Sequence, residues 1–570
     1  MASPAPLPLF TSAAVVCRRH GLEALPHVVE RITALLDCVT LERWTIERAC
    51  KLNDLRLLGR LAAAQELLGI DPHYKKFLAS QGLVAAVRND NLQIVSWLCL
   101  EYCPSLIPMK GIEEAARLDN IDILEWVFAC HKSALWTKRV AEAAVENGHL
   151  EILKVALSHI EVVELVAELL CCAAERGHLK TASWLHDHRT QNQPIAVISD
   201  FTGVWDQRVL LNTILAGHFE VAQFLHSRGY PLVIDRYRQL SSSAVWGNLE
   251  MTKWLLELPQ AKGSSGWIDE AAGAGHLHIV QWIYKHLPND RCTENAMDYA
   301  AKDGHLNVAT WLHEIRTEGC TTRAMDGAAE NGHLQVVQWF HEKQTEGCTT
   351  SAMDRAAANG HLDVVQWLHT HRAEGCTSQA MDEAARNGHL DIVKWLHNNR
   401  TEGCRTRAMD VAASEGHLEV VQWLHENRSE GCTTDAMDYA AKNGHLNVVK
   451  WLHENRTEGC TIEAMDNAGS LPVTQWLQEN RTEGCTIYAM ENATRFGCLD
   501  TLLYLHANRN EGPTHRTALC AVANSNLEVF EWVWANYWNR VDLDRIAARC
   551  GWKPNLYASA LVEQMRSIHQ

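Results

Sequence analysis

Between Cys320 and Gly347 the chain reads CTTRAMDGAAENGHLQVVQWFHEKQTEG, and its apolar positions fall on two short helical stripes. Ala324, Met325, Ala328 and Ala329 recur at helical spacing and give a first helix, helix A, a narrow face of small residues. Asn331-Gly332 stops it, because glycine enters the left-handed conformation that closes a helix without a steric penalty. Leu334, Val336, Val337, Trp339 and Phe340 supply a bulkier apolar surface for a second helix, helix B, and Thr345-Glu346-Gly347 breaks out of it. Two helices of about three turns cannot bury both faces alone, so each pair must stack on the next.

The unit recurs. His305, His333, His361, His389, His417 and His445 stand 28 residues apart, and Cys320, Cys348, Cys376, Cys404, Cys432 and Cys460 keep step with them. A fixed period of this size marks a stacked repeat protein. Fainter landmarks at Asn53, Asn91, Asn120, His149, His178, His218, Asn248 and His276 extend the array toward the start, and Cys498 and Asn526 extend it toward the end. The predicted organisation is an N-terminal helical cap over 1–45, a solenoid over 46–540 and a C-terminal helical cap over 541–570. The solenoid holds about 17 units, with a regular core at 292–460, an inserted loop near 191–207 and a degenerate unit at 460–484 that has lost three residues.

The run A-M-D-x-A-A-x-N-G-H-L-x-V-V-x-W-L resembles the ankyrin repeat, whose pattern places L-H-x-A-A-x-x-G-H before a leucine- and valine-rich second helix. The match is specific in the G-H-L-x-V-V block. It departs where Asp326 stands in place of the family's first-turn histidine, and in a period shorter than the family's usual length of about 33. The missing residues fall where ankyrins project a β-hairpin finger, so short loops are expected instead. The fold class is all-α, an α-solenoid of stacked ankyrin-like helix-turn-helix repeats. The resemblance implies a protein–protein interaction scaffold that binds partners on the concave side, which helix A lines.

Composition changes the picture only by exclusion. The chain has 570 residues, 47% hydrophobic and 21% charged, with no stretch of about 18 apolar residues and no basic start followed by an apolar run in MASPAPLPLFTSAAVVCRRHG. No membrane association and a cytoplasmic location, with a nuclear one also compatible, are expected. Eight of the 19 cysteines, from Cys292 to Cys485, occupy one loop position in successive units. Units about 10 Å apart cannot bring them within the roughly 7 Å that a disulfide allows, so they read as reduced, packed thiols. The sequons at Asn399, Asn427, Asn455 and Asn480 matter only in a secreted chain. A formal net charge of −17 with scattered Lys and Arg disfavours nucleic acid.

No chemistry-bearing constellation emerges. Periodic histidines lie a full unit apart, and His333 and His341 are separated by about 12 Å along one helix, so neither arrangement can share a metal. The Asn-Gly-His position is expected to close the inter-helix turn with hydrogen bonds, and the ladder from Trp311 to Trp451 to be core. There is no Gly-Lys dipeptide for a phosphate loop and no nucleophile elbow. No catalytic residue, metal ligand or cofactor is assigned.

Comparison of the internal copies leaves three variable columns on helix A. The first reads Asn295, Arg323, Ser351, Gln379, Arg407 and Asp435; the second Tyr299, Gly327, Arg355, Glu383, Val411 and Tyr439; the third Lys302, Glu330, Ala358, Arg386, Ser414 and Lys442. Their i, i+4, i+7 spacing places them on one stripe that stacking makes continuous. Two readings stand: a surface for partner proteins, or neutral variation on a solvated face. The first gives a monomeric, non-catalytic scaffold. A second function is a substrate-recruiting adaptor of a ubiquitin ligase, on an F-box-like likeness in Leu25-Pro26, Val28, Ile32 and Leu36 of the N-terminal cap.

Overall fold

A computed structural model describes residues 45–106, 108–130, 136–160, 163–192, 204–233, 240–259, 266–287, 292–524 and 526–546, together with Val562 and Met565. Among these there is no strand; seventeen helix pairs follow one another from Ile46–Lys51 with Leu55–Leu68 to His515–Ala523 with Leu527–Tyr537. Two compact units divide the chain, one of residues 201–514 and the other of 1–200 with 515–570. The F-box-like segment and most of both expected caps lie outside the described residues. Of the loop expected near 191–207, Gln191 and Asn192 close the helix Leu179–Asn192 and 204–207 open Val204–Leu215. Residues 193–203 lie outside the description.

In the unit 201–514 the regular repeat behaves as its stripes require. Helix A, Thr322–Glu330, buries Ala324, Met325, Ala328 and Ala329, and helix B, Leu334–Lys343, buries Val336, Val337 and Phe340. Each large apolar side chain so buried contributes about 1.5–3 kcal/mol. Small alanines let successive A helices pack directly on one another, and each A helix also packs on its own B helix. Gly332 turns the chain at φ +76°, and the His333 N–H donates to Ala328 O at 2.9 Å.

The Asn-Gly-His position closes the turn as expected, through its backbone N–H groups, but the histidine rings take no part in it. Each packs instead on the glycine of the preceding unit: a Cβ on Gly332 would stand 2.5 Å from His361 Nδ1, and Gly304 and Gly360 meet His333 and His389 in the same way. Between units the Asn of Asn-Gly-His donates to the last carbonyl of the preceding helix A, Asn331 to Lys302 O and Asn359 to Glu330 O, both at 2.7 Å. The tryptophan ladder is also corrected. Trp339, Trp367, Trp395, Trp423 and Trp451 are only half-buried, because residue i+5 from Leu334 sits at the edge of the buried arc, and each takes the edge of a histidine from the preceding unit's helix B.

The three-residue deletion cuts helix A to Glu463–Asp466, four residues. The chain compensates by bringing backbone in close: the Gly469 N–H donates to Ala441 O at 3.0 Å, and a Cβ at Gly469 would fall 2.2 Å from the Lys442 carbonyl oxygen. Ser470 stands where other units place the histidine ring, 3.6 Å from the Cβ position of Gly444.

In the other unit, irregular copies carry Asn53, Asp90 and Asp119 in the left-handed region, at φ +56°, +52° and +63°, where regular copies have glycine. Here His149 Nε2 lies 2.9 Å from Arg117 O, so the ring makes the inter-unit bond that asparagine makes elsewhere. The helix Leu527–Tyr537 packs against Pro72–Arg88 in this unit.

Candidate protein-binding face of helix A

The side chains that hold each helix A in place are an acid and a threonine one unit apart. Asp326 is buried, yet its Oδ1 accepts the Thr349 N–H at 2.8 Å and its Oδ2 the Thr349 hydroxyl at 2.7 Å. Asp269, Asp298, Asp354, Asp410, Asp438 and Asp466 hold Thr293, Thr321, Thr377, Thr433, Thr461 and Thr486 in the same way. Asp382 meets Arg405 instead, accepting its N–H at 2.9 Å and its Nε–H at 2.7 Å. The threonine oxygen in turn accepts the amide of the first-column residue, Arg323 and Gln379 at 3.1 Å among them. The buried carboxyl thus satisfies the open end of the next helix and fixes where its first column begins. Burial raises Asp354, Asp410 and Asp438 above the usual aspartate range despite the hydrogen bonds from threonine.

The predicted stripe lies on the accessible side. Arg323, Gln379, Arg407 and Asp435 of the first column are exposed, and Asn295 and Ser351 are half-buried. In the second, Tyr299 and Tyr439 are 44% and 42% exposed, Arg355 is exposed, Glu383 and Val411 are half-buried, and Gly327 is buried. Lys302 and Lys442 of the third are exposed, with Glu330 and Arg386 half-buried.

The structure brings the second column of one unit against the third column of the unit before it. Arg355 Nη1 pairs with Glu330 at 2.8 Å. A Cβ on Gly327 would lie 2.9 Å from Lys302 Cβ, and one on Gly273 2.9 Å from Tyr299 Cβ. Variation in the two columns is therefore partly mutual: glycine faces a long side chain, and arginine faces glutamate. Glu383 is shared, by Arg386 at 3.1 Å and Arg407 at 3.3 Å, and Lys442 lies 5.9 Å from the Tyr439 ring centroid. The face is a mosaic of paired charges and two tyrosines, which suits polar recognition with aromatic anchors.

The loops between units form a second, nearly invariant ladder. Arg372, Arg400, Arg428, Arg456 and Arg481 each bind the glutamate two residues on and lie 3.3–3.4 Å from Nδ1 of a helix B histidine in the preceding unit. The Arg372 guanidinium holds Glu374 below the usual glutamate range. The loop cysteines lie beside these pairs and none is bridged among the described residues. Burial, reinforced by the neighbouring glutamate, pushes the Cys348, Cys376 and Cys432 thiols up to about 11, so they are poor nucleophiles. Among the described residues no group of three or more His, Cys, Asp or Glu is placed to hold a metal ion, and no helix is long and apolar enough to cross a membrane.

Residues 325–410 and 381–466 match the family described as ankyrin repeats (3 copies), and 268–313 match that described as ankyrin repeats (many copies). Over these stretches the chain is similar to ankyrin repeats. Ankyrin repeats generally mediate protein–protein interaction. Here they dispense with the hairpin finger and use the Asp–Thr contact at the helix A entry. No curated protein matches the chain. Among solved structures, the crystal structure of the pentatricopeptide repeat protein PPR10 from maize is similar over 98% of this chain and 99% of its own, at 11% identity and a TM-score of 0.30.

Proposed function

We propose that the chain is a non-catalytic, cytoplasmic scaffold that, as a monomer, takes partner proteins along a concave surface lined by helix A, through the columns from Asn295 to Lys442. One observation supports this reading: copies that keep their buried positions nearly unchanged differ at the accessible positions of helix A, so the variability is concentrated where a partner would touch. Tyr299 and Tyr439 supply aromatic anchors, and the Arg355–Glu330 and Arg407–Glu383 pairs supply a polar surround.

The test is a comparison of two triple variants of the full chain in affinity capture followed by quantitative mass spectrometry. Arg355→Ala, Arg386→Ala and Arg407→Ala remove three cations of the face and leave Glu330 and Glu383 unpaired, so specifically captured proteins should be lost. Gln366→Ala, Lys394→Ala and Gln422→Ala alter helix B and should leave capture unchanged. Loss with the helix B set and none with the arginine set contradicts the proposal.

A further inference from the structure

The last helix pair shows what a second surface accepts. The helix Leu527–Tyr537 buries Val529, Phe530, Trp532 and Val533 along one side. Two carboxylates one turn apart flank that stripe. Glu531 lies 2.6 Å from Lys76 Nζ and Glu528 3.4 Å from Lys110 Nζ, and the two carboxylates are only 14% and 13% exposed. Screening by water is weak at that burial, so reversing the charge of one partner leaves the other uncompensated and repelled.

The receiving side is built for this contact. Lys110 stands on helix A of its unit, Met109–Arg117, at the register that Arg323 holds in the regular copies. Lys76 lies on Pro72–Arg88, which runs to 17 residues where a regular helix A has 9. The extra turns are capped by Asp71, whose carboxylate accepts the His73 and Tyr74 amides at 2.8 and 3.1 Å.

We propose that the face carrying Lys76 and Lys110 is a docking surface for an acidic amphipathic helix. Leu527–Tyr537 is its resident occupant in cis, and a partner helix with two carboxylates one turn apart beside buried aromatics is its competitor. The resident helix belongs to the same chain, so it competes intramolecularly and lowers the apparent affinity of any competitor until it is displaced. Lys110 continues the register of the first column into this unit, but neither Lys76 nor Lys110 is one of the column residues from Asn295 to Lys442, and the test does not depend on those.

The experiment uses the full chain and a fluorescent peptide of residues 524–540. Wild-type chain should bind the peptide weakly. The E528K/E531K chain, whose own helix is repelled by Lys76 and Lys110, should bind it at least about tenfold more tightly. Adding K76E/K110E to that variant should abolish binding of the wild-type peptide. Equal affinity of the wild-type and E528K/E531K chains, or indifference to K76E/K110E, overturns the proposal. A second measurement covers simple unfolding of the terminal unit: hydrogen exchange in 527–537 should accelerate in E528K/E531K and return to the wild-type rate in the fourfold charge swap K76E/K110E/E528K/E531K. Failure of the swap to restore slow exchange also overturns it.

Discussion

Replacing Asp354 with alanine should loosen one junction of the array and little else. The carboxyl accepts two hydrogen bonds, the Thr377 N–H at 2.7 Å and the Thr377 hydroxyl at 2.8 Å. At about 1 kcal/mol each, plus a share of the desolvation of an amide left without its acceptor, the loss comes to about 2–3 kcal/mol. Thr377 is half-buried, so water reaches the amide in part and holds the figure below the fully buried case. Asn at position 354 keeps a carbonyl for the amide and should lose only about 1 kcal/mol. Because stability in a stacked array is a sum of units and interfaces, the readout should be local. Hydrogen exchange in Thr350–Ala358 and Ser378–Arg386 should accelerate by about 30- to 160-fold, at one decade per about 1.36 kcal/mol, while Asp435–Lys442 changes little. A double-mutant cycle with Thr377→Val should give a coupling of about 1 kcal/mol. Unchanged exchange in both helices, or zero coupling, would refute the role given to the Asp–Thr contact.

Gly469→Ala should destabilise the shortened unit by about 2–3 kcal/mol, since the new methyl meets a backbone oxygen that cannot yield cheaply; unfolding by urea at wild-type concentrations would show that the close approach is not needed. Even in the wild type, helix A of four residues at Glu463–Asp466 should exchange faster than Ser378–Arg386, a difference that peptide-level exchange resolves directly. Asp90→Gly, at φ +52°, should stabilise the chain by about 0.5–1 kcal/mol by relieving a left-handed conformation, and a lower melting temperature would contradict this. Glu374 is held below its ordinary value of 4.5 by Arg372, so its contribution is present above that pH and is lost as the pH falls through the depressed value. Asp354, raised by burial, works the other way and favours folding as it protonates. Acid melting curves of Glu374→Gln should therefore lose part of the wild-type fall below about pH 4.5; an unchanged curve would remove the pair from the account.

Much of the fold was legible because it is carried by spacing. The alanine stripe of Ala328 and Ala329, the glycine at Gly332 and the Val336, Val337, Phe340 surface state their positions in the sequence itself, and repetition across copies averages out local ambiguity. What escaped was side-chain direction. The Trp339 position is tryptophan in every regular copy and the Phe340 position is leucine in the others, yet only the second points fully inward, so invariance does not mark burial. His333 likewise reads as a turn residue, although its ring belongs to the neighbouring unit's glycine. The Asp–Thr contact left a usable signal: Asp326 and Thr349 are 23 residues apart, as are Asp354 and Thr377, and the separation falls to 20 in the unit that lost three residues. A polar pair locked at one separation across copies implies a bond between units. The i, i+4, i+7 spacing puts the columns on one stripe, exposed or half-buried at every position but Gly327, while the pairing of one unit's second column with the previous unit's third depends on how the helices stack, which no single copy contains.

The central claim is that the variable face of helix A is where partner proteins bind, and tyrosine footprinting of the captured complex tests it most directly. Tyr299 and Tyr439 stand on that face and are more than two-fifths exposed, so both react readily with a tyrosine-selective reagent in the free chain. The account predicts that a bound partner protects at least one of them several-fold while Tyr284, on the helix B Leu277–His286 and 40% exposed, keeps its reactivity. Undiminished labelling of both Tyr299 and Tyr439 in a saturated complex would contradict it.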